Sequence, residues 1–252
     1  MTLIDAVDIR RSRRKYLNNP IDYFLAGKLK ALIDEYSQSE GLNIQLVLDN
    51  GAAFDGFLKN YGLLSGVQNY IGLIESKDDK HCKEKLGYYG ELLVLHATML
   101  GLGTCWVGGT FDSKSCPFVL SENESIACVI AVGKAPAELS FRENLIYKLT
   151  HRKTKTIQDM FVSDEHVPDW FISGMKSVEK APSAVNRQPV MFSYRNKTVT
   201  ASVKDIEAPG MALDFGIAKL HFELGVGGGK WDWGNGAHYF EKEDDGGNYA
   251  HS

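Results

Sequence analysis

Two stretches of this chain read as long helices with little surface left for water. KLGYYGELLVLHATML (85–100) is apolar around most of the circumference of a helix and stops at GLG, while MALDFGIAKLHFELGVGGG (211–229) is a second long helix running into glycines. A helix apolar on nearly every side has to be covered on nearly every side, so the rest of the chain must wrap around it. His221 lies 125 residues after His96, and Trp231 lies 125 residues after Trp106. The neighbouring elements repeat in order as well. In the first part, YFLAGKLKALIDEY is helical, NIQLVLD (43–49) and YIGLIES (70–76) are strands, and IACVIAVGKAP (126–136) is a strand leaving into a Gly/Pro loop. In the second part, HRKTKTIQDMF (151–161) is basic and then helical, VPDWFISGMKSVEKAPS is a helix stopped by proline, and VMFSYRNKTVTASV is a hairpin. This order implies two half-domains, 1–148 and 149–240, related by a pseudo-twofold, with an acidic tail at 241–252.

The halves differ in their polar motifs. RRSRRKY (10–16) is the basic end of an apolar-periodic helix read over residues 3–16, and its counterpart HRKTKTI has no Arg-Arg-Ser core. APSAVNRQP (181–189) has only YSQSEGLNIQL opposite it. Arg10, Arg11, Ser12 and Arg14 offer guanidinium forks and a hydroxyl in one stretch, the donor set that holds a phosphate; a basic face turned to water is the competing reading. Pro182, Ser183, Asn186 and Gln188 form a helix end leading to a strand, or supply amides able to read the edge of a polar heterocycle. GLGTCWVGGTF (101–111) misses the P-loop and dinucleotide spacings, yet Gly108-Gly109 allows close backbone approach to a flat ring.

Composition narrows the classes. With 252 residues, 44% hydrophobic and 24% charged, the chain reads as globular, and a net charge of −4 with a pI of about 6.0 disfavours general binding to nucleic acid or anionic membranes. Asp5 and Asp8 interrupt any apolar leader and no stretch approaches a membrane span, so the expectation is a cytoplasmic protein. Cys82, Cys105, Cys116 and Cys128 have no metal spacing and read as buried thiols; no metal is expected. His96 and His221, on apolar helices, read as core histidines satisfied by backbone groups.

RRSRRKY, GYYGELLVLHATMLGLGTCWVGG and APSAVNRQP together resemble the FMN-dependent nitroreductase family, in particular its subfamily typified by a Thermotoga protein, a single-chain pseudo-dimer. The similarity extends to about Trp231. It departs at Val190, where the family's QPW becomes QPV, at Tyr16, where phenylalanine is usual, and in the tail. The resemblance implies an α+β, three-layer fold of two fused halves, long helices central and sheets outside. It also implies an oxidoreductase using one FMN and NADH or NADPH, with a nitroaromatic, quinone or enone as acceptor. Arg10, Arg11, Ser12 and Arg14 would hold the phosphate and ribityl chain, helped by Arg152 and Lys153. Pro182, Ser183, Ala184, Asn186 and Gln188 would approach from the other half, and Val107, Gly108 and Gly109 would lie by the ring. No catalytic side chain is implied, since the flavin carries the chemistry. A flavin- or nucleotide-binding protein without turnover is the alternative. A monomer is the simplest state, and a further dimer is compatible with the sequence.

Overall fold

The computed structural model describes residues 1–55, 63–150 and 154–241. Helix α1 (Leu3–Ile9) is opened by a Thr2/Asp5 capping box, and α2 (Tyr23–Glu40) by the Asp22 carboxylate, ending at Gly41 in the left-handed region. Strands β1 (Asn43–Val47) and β2 (Asn69–Ser76) precede α3 (Cys82–Met99), which is followed by β3 (Gly103–Val107) and β4 (Glu124–Gly133). These strands form an antiparallel sheet in the order β1-β2-β4-β3. Helix α4 (Phe141–Thr150) leads to β5 (Phe161–Ser163) and α5 (Asp169–Glu179). Then come β6 (Met191–Arg195), β7 (Thr198–Ser202), α6 (Met211–Val226), β8 (Lys230–Trp231) and β9 (Ala237–Phe240), with a second sheet in the order β5-β6-β7-β9-β8. Apart from β5, which joins β6 in parallel, the second sheet repeats the order of the first: helix, hairpin, helix, edge strand, inner strand.

The helices lie between the sheets. α2 and α3 pack on the first sheet through Leu29, Ile33, Leu86, Leu93, Ile71 and Ile130; α5 and α6 pack on the second through Phe171, Met175, Phe215, Phe222, Phe192 and Val199. The two predicted long helices, α3 and α6, meet at the centre. Their backbones approach so closely that a Cβ on Gly87 would lie 2.2 Å from the Leu213 carbonyl oxygen, and one on Gly216 would lie 1.9 Å from that of Glu84. Only glycine fits at either crossing point. α1 rests across both helices through Ala6, Val7, Leu95 and Leu220.

Two local expectations fail. The first helix ends at Ile9 rather than running to residue 16, because the basic segment gives its backbone hydrogen bonds away: Arg13 N–H donates to Thr104 O of β3, and Tyr16 N–H to Ser65 O. The expected helix in 151–161 is, over 154–161, a single 3-10 turn at Ile157–Asp159 followed by β5; residues 151–153 and the tail from 242 lie outside the described residues. The helix of this region is α4, just upstream, and the boundary expected after residue 148 falls within it.

Candidate functional site

Because the segment after α1 is extended along β3, neighbouring side chains leave on opposite sides. Arg13 goes one way and is fully committed, its guanidinium donating to Pro136 O (2.7 Å), Glu138 O (3.1 Å) and Glu143 Oε1 (3.3 Å). Ser12 and Arg14 go the other way, into a cavity of about 500 Å³, a volume ordinary for a small-molecule site. Arg10 and Arg11 reach the same cavity. Facing them are Pro182, Ser183, Val185 and Asn186 from the segment after α5, with Glu143, Tyr147 and Thr150 of α4 between. Lys180 ties the walls together by pairing with Asp8, and its carbonyl accepts from Arg10 Nη2 at 3.5 Å.

Glu143 holds the arginine segment in shape. Its Oε1 accepts from the backbone N–H of Arg14 (2.7 Å) and Lys15 (3.2 Å), and its Oε2 from the N–H and hydroxyl of Ser140 (both 2.7 Å). Burial by itself raises this carboxyl, but the donated hydrogen bonds outweigh it and hold the group at about 2. On the opposite wall Asp214 plays the corresponding part, accepting from Ala184 N–H at 3.1 Å and pairing with Arg187 at 2.9 Å. Burial pushes the Asp214 carboxyl up, and Arg187 opposes that shift. Neither acid was found from the sequence. Ser140-x-x-Glu143 is a capping box and could have announced α4, whereas nothing local marks Asp214.

Strain and charge both concentrate at this cavity. Val185, Asn186 and Gln188 have φ of 47°, 56° and 45°, and Val185, a β-branched residue 79% exposed on the cavity wall, is a genuine outlier there. Asn186 Nδ2 donates to Thr154 Oγ1 (3.1 Å) and Thr150 O (3.4 Å). Arg10 faces the buried Glu91 at 3.6 Å. Arg14 has one long contact, with Ser12 O at 3.5 Å, and Arg11 has no hydrogen-bond or ion-pair partner among the described residues.

Of the expected site residues, Arg10, Arg11, Ser12, Arg14, Pro182, Ser183 and Asn186 line this one cavity. Ala184 sits in the same loop, its N–H turned to Asp214. Gln188 does not reach the cavity: it is buried, donating to Glu179 O and accepting from Lys155 N–H, and so fixes the loop from inside. Val107 is buried in the core on the outer face of the first sheet, and Gly108 and Gly109 are exposed without lining the cavity; the part of β3 beside the arginines is Thr104. Arg152 and Lys153 lie outside the described residues. Cys105 is buried, which pushes its thiol up, as an inert core cysteine requires. No cluster of His, Cys, Asp or Glu among the described residues could hold a metal, and no described helix is long and apolar enough to cross a membrane.

Known proteins resemble this arrangement. A solved structure of a "putative nitroreductase" from Thermotoga maritima superposes with a TM-score of 0.59 at 19% identity, over 95% of this chain and 92% of that one. An FMN-dependent nitroreductase from Clostridium difficile gives 0.45 at 20% identity, over 54% of this chain and 88% of its own. A nitroreductase with bound FMN from Bacteroides fragilis gives 0.42 at 18% identity, over 56% and 92%. No curated protein matches the chain. The Thermotoga likeness is one of fold, and it bears out the three-layer α+β arrangement. The family model described as "Putative TM nitroreductase" matches residues 2–226, and the chain therefore belongs to that nitroreductase family.

Proposed function

We propose that the chain is an FMN-dependent oxidoreductase that binds one flavin, phosphate end first, in the cavity between Arg10–Arg14 and Pro182–Asn186. The observation that carries this reading is the pair of uncommitted guanidiniums, Arg11 and Arg14, on the wall of a roughly 500 Å³ cavity. A phosphate fits that donor set: Ser12 adds a hydroxyl, and Arg10 has a buried Nε without a hydrogen-bond partner. When bound, FMN would supply hydride-transfer chemistry between NADH or NADPH and an electron-poor acceptor such as a nitroaromatic or a quinone. The chain's own part is to bind and orient. Glu143 and Asp214 fix the two backbone walls, and Arg14 places positive charge where an anionic ligand would lie. Asn186 keeps Oδ1 as its remaining hydrogen-bonding atom once Nδ2 is held by Thr154. The repeated element order supports treating the halves, 1–148 and 149–240, as an intramolecular pseudo-dimer, with the monomer as working unit.

The test is titration of the purified protein with FMN and with riboflavin, followed by NADH or NADPH under anaerobic conditions. Arg14→Ala and Arg11→Ala should each weaken FMN binding about tenfold or more, since a hydrogen bond to a charged group contributes roughly 1.5–3 kcal/mol, while riboflavin binding changes little. Unchanged FMN affinity in both variants removes the phosphate assignment. Flavin that binds but does not bleach with either nucleotide leaves a flavin carrier without turnover.

A further inference from the structure

Below the cavity lies a group of polar side chains that ligand binding by the arginines does not account for. Glu91 of α3 is fully buried, and its Oε2 accepts from Trp106 Nε1 at 2.8 Å. Its Oε1 lies 3.1 Å from His221 Nε2 of α6 and 3.6 Å from Arg10 Nε, so three elements from both halves converge on one carboxyl. His221, also fully buried, has its other ring nitrogen, Nδ1, 3.0 Å from the carbonyl oxygen of Ser177 in α5.

The proton inventory of this group is constrained by chemistry. A carbonyl oxygen can only accept, so His221 Nδ1 must carry a hydrogen. If that were the ring's only hydrogen, Nε2 would be a bare acceptor facing the acceptor Oε1 of an ionised Glu91, and two buried lone pairs would meet at 3.1 Å. The contact becomes a hydrogen bond only with one further proton: on Nε2, making an imidazolium against a carboxylate, or on Glu91, making a carboxylic acid that donates to Nε2. In either form the pair is neutral overall, which is what a fully buried pair requires. Arg10 is the charged group within ion-pair distance of it among the described residues; the next along α3, Glu84, is two turns away and already paired with Lys219.

We infer that Glu91 and His221 share one proton and act together as positioning residues, holding the Arg10 guanidinium at the cavity wall for a ligand phosphate. Arg10 Nε is buried without a hydrogen bond, and Nη2 makes only the 3.5 Å contact with Lys180 O. The pair therefore sets Glu91 Oε1 against this guanidinium and leaves its donors for another acceptor. Trp106 and Ser177 fix the two ends of the pair, so the geometry is set by both central helices at once.

Two measurements test this, and the first is independent of the proposed function. In uniformly 15N-labelled protein without flavin, the ring nitrogens of His221 should show Nδ1 protonated, with Nε2 either protonated or hydrogen-bonded to an acid proton. A neutral ring protonated at Nε2 alone, or at Nδ1 with an ionised Glu91, overturns the shared proton. The second compares FMN and riboflavin binding to the full chain carrying Glu91→Gln, which keeps the shape and the Trp106 acceptor but removes the carboxyl that shares the proton with His221 and faces Arg10. FMN affinity should fall about tenfold, roughly 1.4 kcal/mol, with riboflavin affinity unchanged. Equal loss for both ligands, or no loss for either, overturns the positioning role. If the unaltered protein binds no FMN at all, the functional reading fails while the nitrogen spectrum still decides the proton.

Discussion

Two buried carboxylates of α3, seven residues apart, each meet a basic residue of α6: Glu84 meets Lys219, and Glu91 meets His221. The first centre is closed. Lys219 also donates to Asp232 O at 2.6 Å and lies against the rings of Phe215, Trp231 and Trp233, while Glu84 Oε2 accepts from Gly234 N–H at 2.7 Å. The second centre continues through Arg10 to a cavity. The loops beside them differ in the same sense: Gly108 is exposed with open space around it, whereas Trp233, 125 residues later, packs on Tyr88 and Tyr89. One helix interface thus holds a saturated buried pair and an unsaturated one, and the unsaturated one leads through Arg10 to the cavity. Burial of charge alone does not distinguish them; what matters is whether every donor already has an acceptor.

Breaking the closed centre should have the largest effect. Lys219→Ala leaves Glu84 buried without its cation and should lower unfolding free energy by about 3–5 kcal/mol in a urea titration. Lys219→Met combined with Glu84→Gln should cost far less, because no charge is stranded. A double variant as unstable as the single one would mean that the centre stabilises by shape rather than charge.

Glu143 comes next, since it belongs to the open side and holds the backbone of the arginine segment as well as the Arg13 guanidinium. Glu143→Gln should cost about 2 kcal/mol near neutral pH. Its folded carboxyl titrates at about 2, below the ordinary value of 4.5, so its contribution is complete above about 4.5 and fades as pH falls toward 2. Thermal midpoints of the two proteins should therefore converge across that window. A constant gap from pH 6 to 3 would show that the carboxylate charge is immaterial to the arginine segment.

The smallest effect sharpens the contrast between order and function. Val185→Gly relieves a left-handed backbone conformation of a β-branched residue and should stabilise the fold by about 1 kcal/mol, while FMN affinity falls because the loop is no longer preset. A rise in both stability and affinity would mean that the strain has no part in binding.

Much of the architecture was legible because both central helices announce themselves by apolarity and glycine ends, and the strands by short apolar runs. The site was legible only in part. RRSRRKY reads as one basic unit, but its extended backbone divides it, sending Arg13 to Pro136, Glu138 and Glu143 and Arg14 to the cavity, which Arg11 also lines. Gly108-Gly109 looked like the approach to a ligand because glycine permits it, yet permission is not placement, and β3 presents Thr104 to the arginines instead. Glu91 and His221 could not be paired from the sequence, since 130 residues separate them and each sits in a helix whose neighbours are apolar.

Both walls of the cavity are written in one chain, Arg10–Arg14 in one stretch and Pro182–Asn186 in another. Dilution cannot separate them, so ligand affinity should not depend on protein concentration. There is also a consequence for how such a protein can change. In an assembly of two identical subunits every substitution appears twice, and improving one site alters its twin. Here Gly108 and Trp233 are separate codons, so one position can be sealed with aromatic rings while the other stays open.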